Sequence, residues 1–176
     1  MGFGLLTKED IEQYLKELDL ALQQVDAKGE ICLYGGAVMC VVYEARPATK
    51  DIDAVFRPTQ EIRNAVAQIA RVHDLPDDWL NDAVKGFVVA HPQRILFNLP
   101  NLQVYVPEPD YLLAMKTLAA RVDTQDKDDI IFLIRQLGLK TPDEVFKILE
   151  SYYPRQIIKP ATQYFVEELF EANDAA

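Results

Sequence analysis

The sequence predicts an α+β protein: a small mixed β-sheet flanked by helices, followed by a helical carboxyl-terminal bundle. Three observations carry that prediction. The apolar run Ile31-Cys32-Leu33-Tyr34 enters a Gly35-Gly36 turn and then a helical pattern. Polar and apolar residues alternate over 51–56, the period of a half-buried strand. From Pro109 onward, apolar residues recur only at helical spacing.

Taken in order, Thr7 with Asp10 three residues on caps a helix running to about residue 26. Ile11, Leu15, Leu18, Leu22 and Val25 line one face of it, and Lys28-Gly29 stops it. The strand at 31–34 leads through the glycines into a helix from 37 to about 45. The strand at 51–56 ends at Arg57-Pro58, after which Thr59 caps a helix bearing Ile62, Val66 and Ile69. The polar stretch 75–85, which holds the single tryptophan Trp79, reads as a short surface helix. Residues 94–98 and 102–106, separated by Leu99-Pro100-Asn101, read as a hairpin. Helices are expected at 109–122, 125–137, 142–153 and 160–171, with Gly138 as one stop and Thr141-Pro142 plus Glu144 as the next start. The chain thus reads as an α/β core over 1–107 and a helical region over 108–176 packed on it, with no Gly/Ser-rich linker between them.

With 176 residues, 49% hydrophobic and 26% charged, the composition is that of a globular protein with its own core. A net charge of -10 argues against a broad basic face for nucleic acid, because nonspecific binding depends on Lys and Arg neutralising phosphates. Cys32 and Cys40 lie in apolar stretches without metal-ligand spacing, so buried thiols are expected, as suits a reducing cytoplasm. The start Met1-Gly2-Phe3-Gly4-Leu5-Leu6 lacks the pattern of a signal peptide, and no apolar run approaches the roughly 18 to 20 residues of a membrane span. The expected location is cytoplasmic, with no membrane partner.

The strongest chemical signal is the glycine turn followed by Asp51-Ile52-Asp53. Strand alternation puts Asp51 and Asp53 on one face, with Cα atoms about 6.5 Å apart, and turns Ile52 toward the core. Two such carboxylates suit Mg²⁺, which takes oxygen ligands and commonly brings triphosphate with it. Gly35 and Gly36 let backbone N–H groups approach phosphate oxygens. Lys116 has Leu112, Leu113, Ala119 and Ala120 at helical neighbour positions, so its ammonium rises from an apolar face and needs an anionic partner. Asp129, beside Phe132, Leu133 and Asp126, is one candidate, and a bound triphosphate is another.

The stretch Leu33-Tyr34-Gly35-Gly36-Ala37, with Arg46, Thr49-Lys50 and Asp51-Ile52-Asp53 after it, resembles the Gly-Gly and Asp-x-Asp signature of the nucleotidyltransferase-fold superfamily. The likeness is to the bacterial group of AbiEii-type and MenT-type toxins and related DUF6036-like proteins. A second block, Leu112-Leu113-Ala114-Met115-Lys116, then Ala119-Ala120-Arg121 and Asp126-Lys127-Asp128-Asp129-Ile130, resembles the lysine helix and the Arg and Asp-x-x-Asp segment of the same group. The resemblance implies a nucleotidyltransferase-like sheet and Mg²⁺-dependent transfer of a nucleoside monophosphate from NTP to an acceptor hydroxyl, on tRNA or protein. An antitoxin-type protein partner is implied too.

On this resemblance Asp51 and Asp53 bind metal; Gly35, Gly36, Arg46, Thr49 and Lys116 meet the nucleotide; Lys116, Asp126 and Asp129 complete the catalytic set. One departure stands out: 102–106, where many active members carry a third carboxylate, has none, and Glu108 and Asp110 fall just beyond it. The alternative is therefore a weak or inactive nucleotidyltransferase-fold module that binds nucleotide or a protein partner. Read without the resemblance, Asp51 and Asp53 are a solvent-facing pair, Lys116 a lysine at the core edge, and Asp126 and Asp129 a helix cap and an ion pair with Arg121 or Lys116. His73 and His91 read as ordinary surface or loop histidines, and Tyr152-Tyr153 as helix packing.

Overall fold

The computed structural model describes residues 4–119 and 124–174. The chain forms two compact units: Met1–Val88 with Pro92–Pro107, and Val89–His91 with Glu108–Ala176. Ala120 and Arg121, singled out by sequence, lie outside the described residues, as does the end of the helix expected at 109–122.

In the first unit, β1 (Leu6–Thr7) runs directly into α1 (Lys8–Gln24). Thr7 and Asp10 form the capping box that their spacing predicts, each side chain taking the other's backbone N–H. β2 (Gly29–Tyr34) passes into α2 (Gly35–Val41), which is shorter than expected. Glu44 adopts a left-handed φ of 50°, so the chain leaves the helical path before reaching 45. β3 (Ala48–Thr49) pairs with β1, and β4 (Ile52–Arg57) follows; Asp51 therefore precedes the strand rather than opening it. α3 (Thr59–His73) takes Pro58 as its cap, so Thr59 is the first helical residue and not the cap itself.

The expected surface helix at 75–85 is instead β5 (Leu80–Asn81) and a 3₁₀ turn, Ala83–Gly86. Trp79 is 1% exposed, its indole N–H donating to the Val66 carbonyl at 3.0 Å. β6 (Gln93–Asn98) and β7 (Leu102–Pro107) form the expected hairpin, with a bulge between Ile95 and Phe97.

The five-stranded sheet has the order β5-β4-β2-β7-β6. β2 runs antiparallel to β4 and parallel to β7. One face is apolar and buried: Ile31 and Leu33 of β2, Ile52 and Ala54 of β4, Val104 and Val106 of β7. Leu22 of α1, Ile62 of α3 and Leu102 of β7 converge on Gly29 of that face, so the helices pack there. Alternation then sends Cys32, Tyr34, Asp53, Val55 and Tyr105 to the opposite face.

The second unit holds α4 (Pro109–Ala119), α5 (Thr124–Gln136), α6 (Pro142–Tyr152) and α7 (Pro160–Asp174). α4 packs against α5 and α6, and α6 against α7, around Leu112, Ile130, Leu133, Val145, Leu149 and Val166. Thr141 and Glu144 form the second predicted capping box, with Pro142 in the first turn. Among the described residues no helix is long and apolar enough to cross a membrane.

Candidate functional site

The register of β2 against β4 builds the site. Tyr34, the last residue before the glycine turn, lies opposite Asp53, so the turn and the carboxylate are adjacent by strand pairing. Gly35 has φ +63°, and a Cβ built on it would lie 2.9 Å from Asp53 Oδ2. Only glycine accepts both that conformation and that approach. A Cβ on Gly36 would meet Thr49 Oγ1 at 2.6 Å and Arg46 Nη1 at 2.7 Å. Five of the predicted residues, Gly35, Gly36, Arg46, Thr49 and Asp53, are thereby brought to one turn.

Thr49 is held there from below. It is buried, pairs across β3 with Leu6 of β1, and donates its hydroxyl to the Asp51 carbonyl at 3.3 Å. α2 has seven residues, so its dipole adds little. The anion-holding capacity rests on the Arg46 guanidinium, the Thr49 hydroxyl and the close backbone of Gly36.

Asp51 has different surroundings. It lines a cavity of about 180 Å³ with Leu6, Lys50, Asp78 and Trp79. Burial raises the pKa of its carboxyl, nearby Asp78 raises it further, and Lys50 opposes both. The sequence contains no signal for Asp78 as a neighbour, because the pairing of β4 with β5 that brings it close is tertiary. All three atoms nearest an added Cβ at Gly35 belong to Asp53, which is the carboxylate facing the turn.

Lys116, Asp126 and Asp129 meet in the second unit. Lys116 Nζ lies 2.7 Å from Asp129 Oδ2 and 3.7 Å from Asp126 Oδ1, with side-chain exposures of 8%, 4% and 29% respectively for Lys116, Asp129 and Asp126. A three-residue spacing sets both aspartates on the face of α5 turned to α4. The anion that the apolar setting of Lys116 demands is thus present in the fold.

The expected gap on β7 is also there. Gln103, Tyr105 and Pro107 occupy the positions turned away from α1 and α3, and none is acidic. Glu108 and Asp110 belong to the second unit, where Asp110 accepts from the Tyr152 hydroxyl at 2.8 Å. His73 is engaged with Glu17 at 2.7 Å, and His91 stacks on Tyr111 with centroids 3.9 Å apart. Both cysteines are free and buried; burial pushes the Cys32 thiol up to about 11.

A divalent metal can be tested against this donor set. Among the described residues no group of three or more His, Cys, Asp or Glu side chains could hold an ion. Mg²⁺ is usually held by one or two carboxylates, with water and substrate phosphates completing its octahedron. Asp53, the carboxylate at the glycine turn, fits that mode and does not fit a cage built from protein alone.

No curated protein and no solved structure matches the chain. Over residues 10–154 it matches the family described as nucleotidyltransferase of unknown function (DUF6036), and a chain with this glycine turn and facing aspartate, matched over that length, belongs to that family.

Proposed function

We propose that this protein transfers a nucleoside monophosphate from an NTP to an acceptor hydroxyl, with pyrophosphate leaving and Mg²⁺ required. The observation that carries the reading is the meeting of Asp53, Arg46 and Thr49 at Gly35-Gly36. That turn offers a carboxylate to a metal and, from one residue further on, a guanidinium and a hydroxyl to phosphate. Asp53 and Asp51 would hold Mg²⁺, which would offset charge on the phosphate oxygens and the leaving pyrophosphate. Arg46 and Thr49 orient the phosphate chain along the turn. The likeness to AbiEii-type and MenT-type toxins extends the reading to a tRNA or protein acceptor, an antitoxin-type partner and a cytoplasmic setting.

A second reading, a module that binds nucleotide without turning it over, is favoured by one observation: β7 presents no carboxylate to deprotonate an attacking hydroxyl. Loss of such a base lowers rates by about 10² to 10⁴.

The two readings separate by measurement. Purified protein with Mg²⁺ and each α-³²P-labelled NTP is expected to label a component of cell extract, and Asp53→Ala to abolish the labelling. Equal labelling by Asp53→Ala would remove the mechanism. Calorimetric NTP binding without pyrophosphate release would establish the module instead.

A further inference from the structure

We propose that Lys8 and Glu44 are positioning residues for the anion end of the site: their ion pair closes the segment 6–8 as a clamp over the loop 44–49, and the clamp holds Arg46 and Thr49 at Gly36. That the anion is the phosphate chain of an NTP rests on the nucleotide reading above. Three consecutive residues tie down this loop. Leu6 pairs with Thr49 and Thr7 with Ala48 across β1 and β3, and Lys8 Nζ lies 3.2 Å from Glu44 Oε1. Arg46 stands between these ties, and its Nη1 and the Thr49 hydroxyl are the atoms nearest an added Cβ at Gly36. The clamp is anchored in turn, because the Thr7–Asp10 capping box fixes where β1 stops and α1 starts. Burial raises the pKa of the Cys40 thiol in α2, and the charges that act on it besides are Arg46, Glu9, Lys8 and Glu44. The ion pair and the guanidinium therefore gather around the last turn of one short helix.

The backbone of Glu44 shows why a tie is needed there. Its φ of 50° is left-handed, which a residue with a Cβ adopts at a cost, and such a conformation lasts only where its surroundings impose it. This residue turns the chain out of α2, with the Ala45 N–H returning to the Met39 carbonyl at 2.9 Å, and leads it into Arg46. Glycine would make the same turn freely, but it would give Lys8 nothing to grip. With side-chain exposures of 33% and 71%, the Lys8–Glu44 pair adds little to the stability of the whole fold. Its effect is local, on a loop whose next residue but one is Arg46.

A clamp and a simple effect of charge differ in sign at Glu44. Removing a carboxylate near a bound polyanion tightens binding if Coulomb's law alone acts, and loosens it if that carboxylate holds the loop.

The test uses the full chain, with calorimetry of inorganic tripolyphosphate and of each NTP in the absence of metal. Glu44→Gln, Glu44→Gly and Lys8→Gln are each expected to weaken tripolyphosphate binding about fivefold or more. Lys8→Glu combined with Glu44→Lys, which leaves the net charge unchanged, is expected to return affinity to within about twofold of wild type. Glu44→Gly is expected to keep a thermal midpoint at or above that of wild type, since glycine relieves the left-handed backbone. Unchanged or tighter binding in Glu44→Gln, a charge swap that restores nothing, a midpoint in Glu44→Gly that falls together with affinity, or a wild type that binds no tripolyphosphate would overturn the proposal. Transfer is read separately, with Mg²⁺ and α-³²P-labelled NTPs below saturation. Affinities in the expected pattern without any labelled product would support the clamp and overturn the transfer reading. Labelling by all three single variants at the wild-type rate would overturn the clamp and leave transfer standing.

Discussion

An ammonium withdrawn from water costs several kcal/mol unless a carboxylate meets it, and Lys116 meets two. Removing one partner strands the other's charge in a buried setting. Lys116→Met is therefore expected to lower unfolding free energy by about 3–5 kcal/mol, and Lys116→Met combined with Asp129→Leu by less than that. Urea unfolding of the three proteins checks the pattern; a single-variant loss below about 1 kcal/mol would mean that the pair carries no stability. The need for an anion was legible from the leucines and alanines around Lys116, because helix neighbours follow from spacing. The convergence of Arg46 and Thr49 on Gly36 had no such signal beyond the family likeness, because it depends on how the chain returns from α2 to β4.

Elements whose determinants are adjacent in sequence were the readable ones. Both capping boxes, the hairpin and the four late helices follow from residues within a few positions of each other, whereas the segment around Trp79 is set by pairing with β4 and by burial against α3. The second box has a pH consequence. Backbone N–H groups of Lys140 and Thr141 hold the Glu144 carboxyl below its ordinary value of 4.5. A depressed folded-state pKa means that the stabilisation is present above pH 4.5 and is lost as the pH falls through the lower folded value. Thr141→Ala is expected to cost about 1 kcal/mol at neutral pH. Glu144→Gln should flatten the acid limb of the stability profile below pH 4.5; denaturant midpoints measured from pH 3 to 7 check both. An acid limb unchanged in Glu144→Gln would show that the carboxylate contributes nothing to the start of α6.

At the scale of the molecule, periodicity marks where strands give way to helices near residue 107, but it has no mark for the three residues Val89–His91, which join the helical unit. Their attachment is a matter of side-chain chemistry 20 or more residues away along the chain. Val89 N–H donates to the Tyr111 hydroxyl at 3.0 Å, that hydroxyl lies 2.9 Å from the Tyr153 hydroxyl, and His91 stacks on the Tyr111 ring. Tyr111 and Tyr153 are both buried, so their hydroxyls rely on protein partners rather than bulk water. Tyr111→Phe keeps the ring, and with it the His91 stack, and deletes only the oxygen. The expected result is a loss of about 1–2 kcal/mol, because the Val89 amide and the Tyr153 hydroxyl each lose a partner. Hydrogen exchange at Val89 should rise about tenfold or more, since a protecting bond worth about 1.4 kcal/mol corresponds to a factor of ten, whereas exchange in β2 and β4 should not change. Native-state exchange followed residue by residue reads both quantities. Unchanged exchange at Val89 would mean that its amide is protected by the surrounding chain and that the Tyr111 hydroxyl does not anchor the segment.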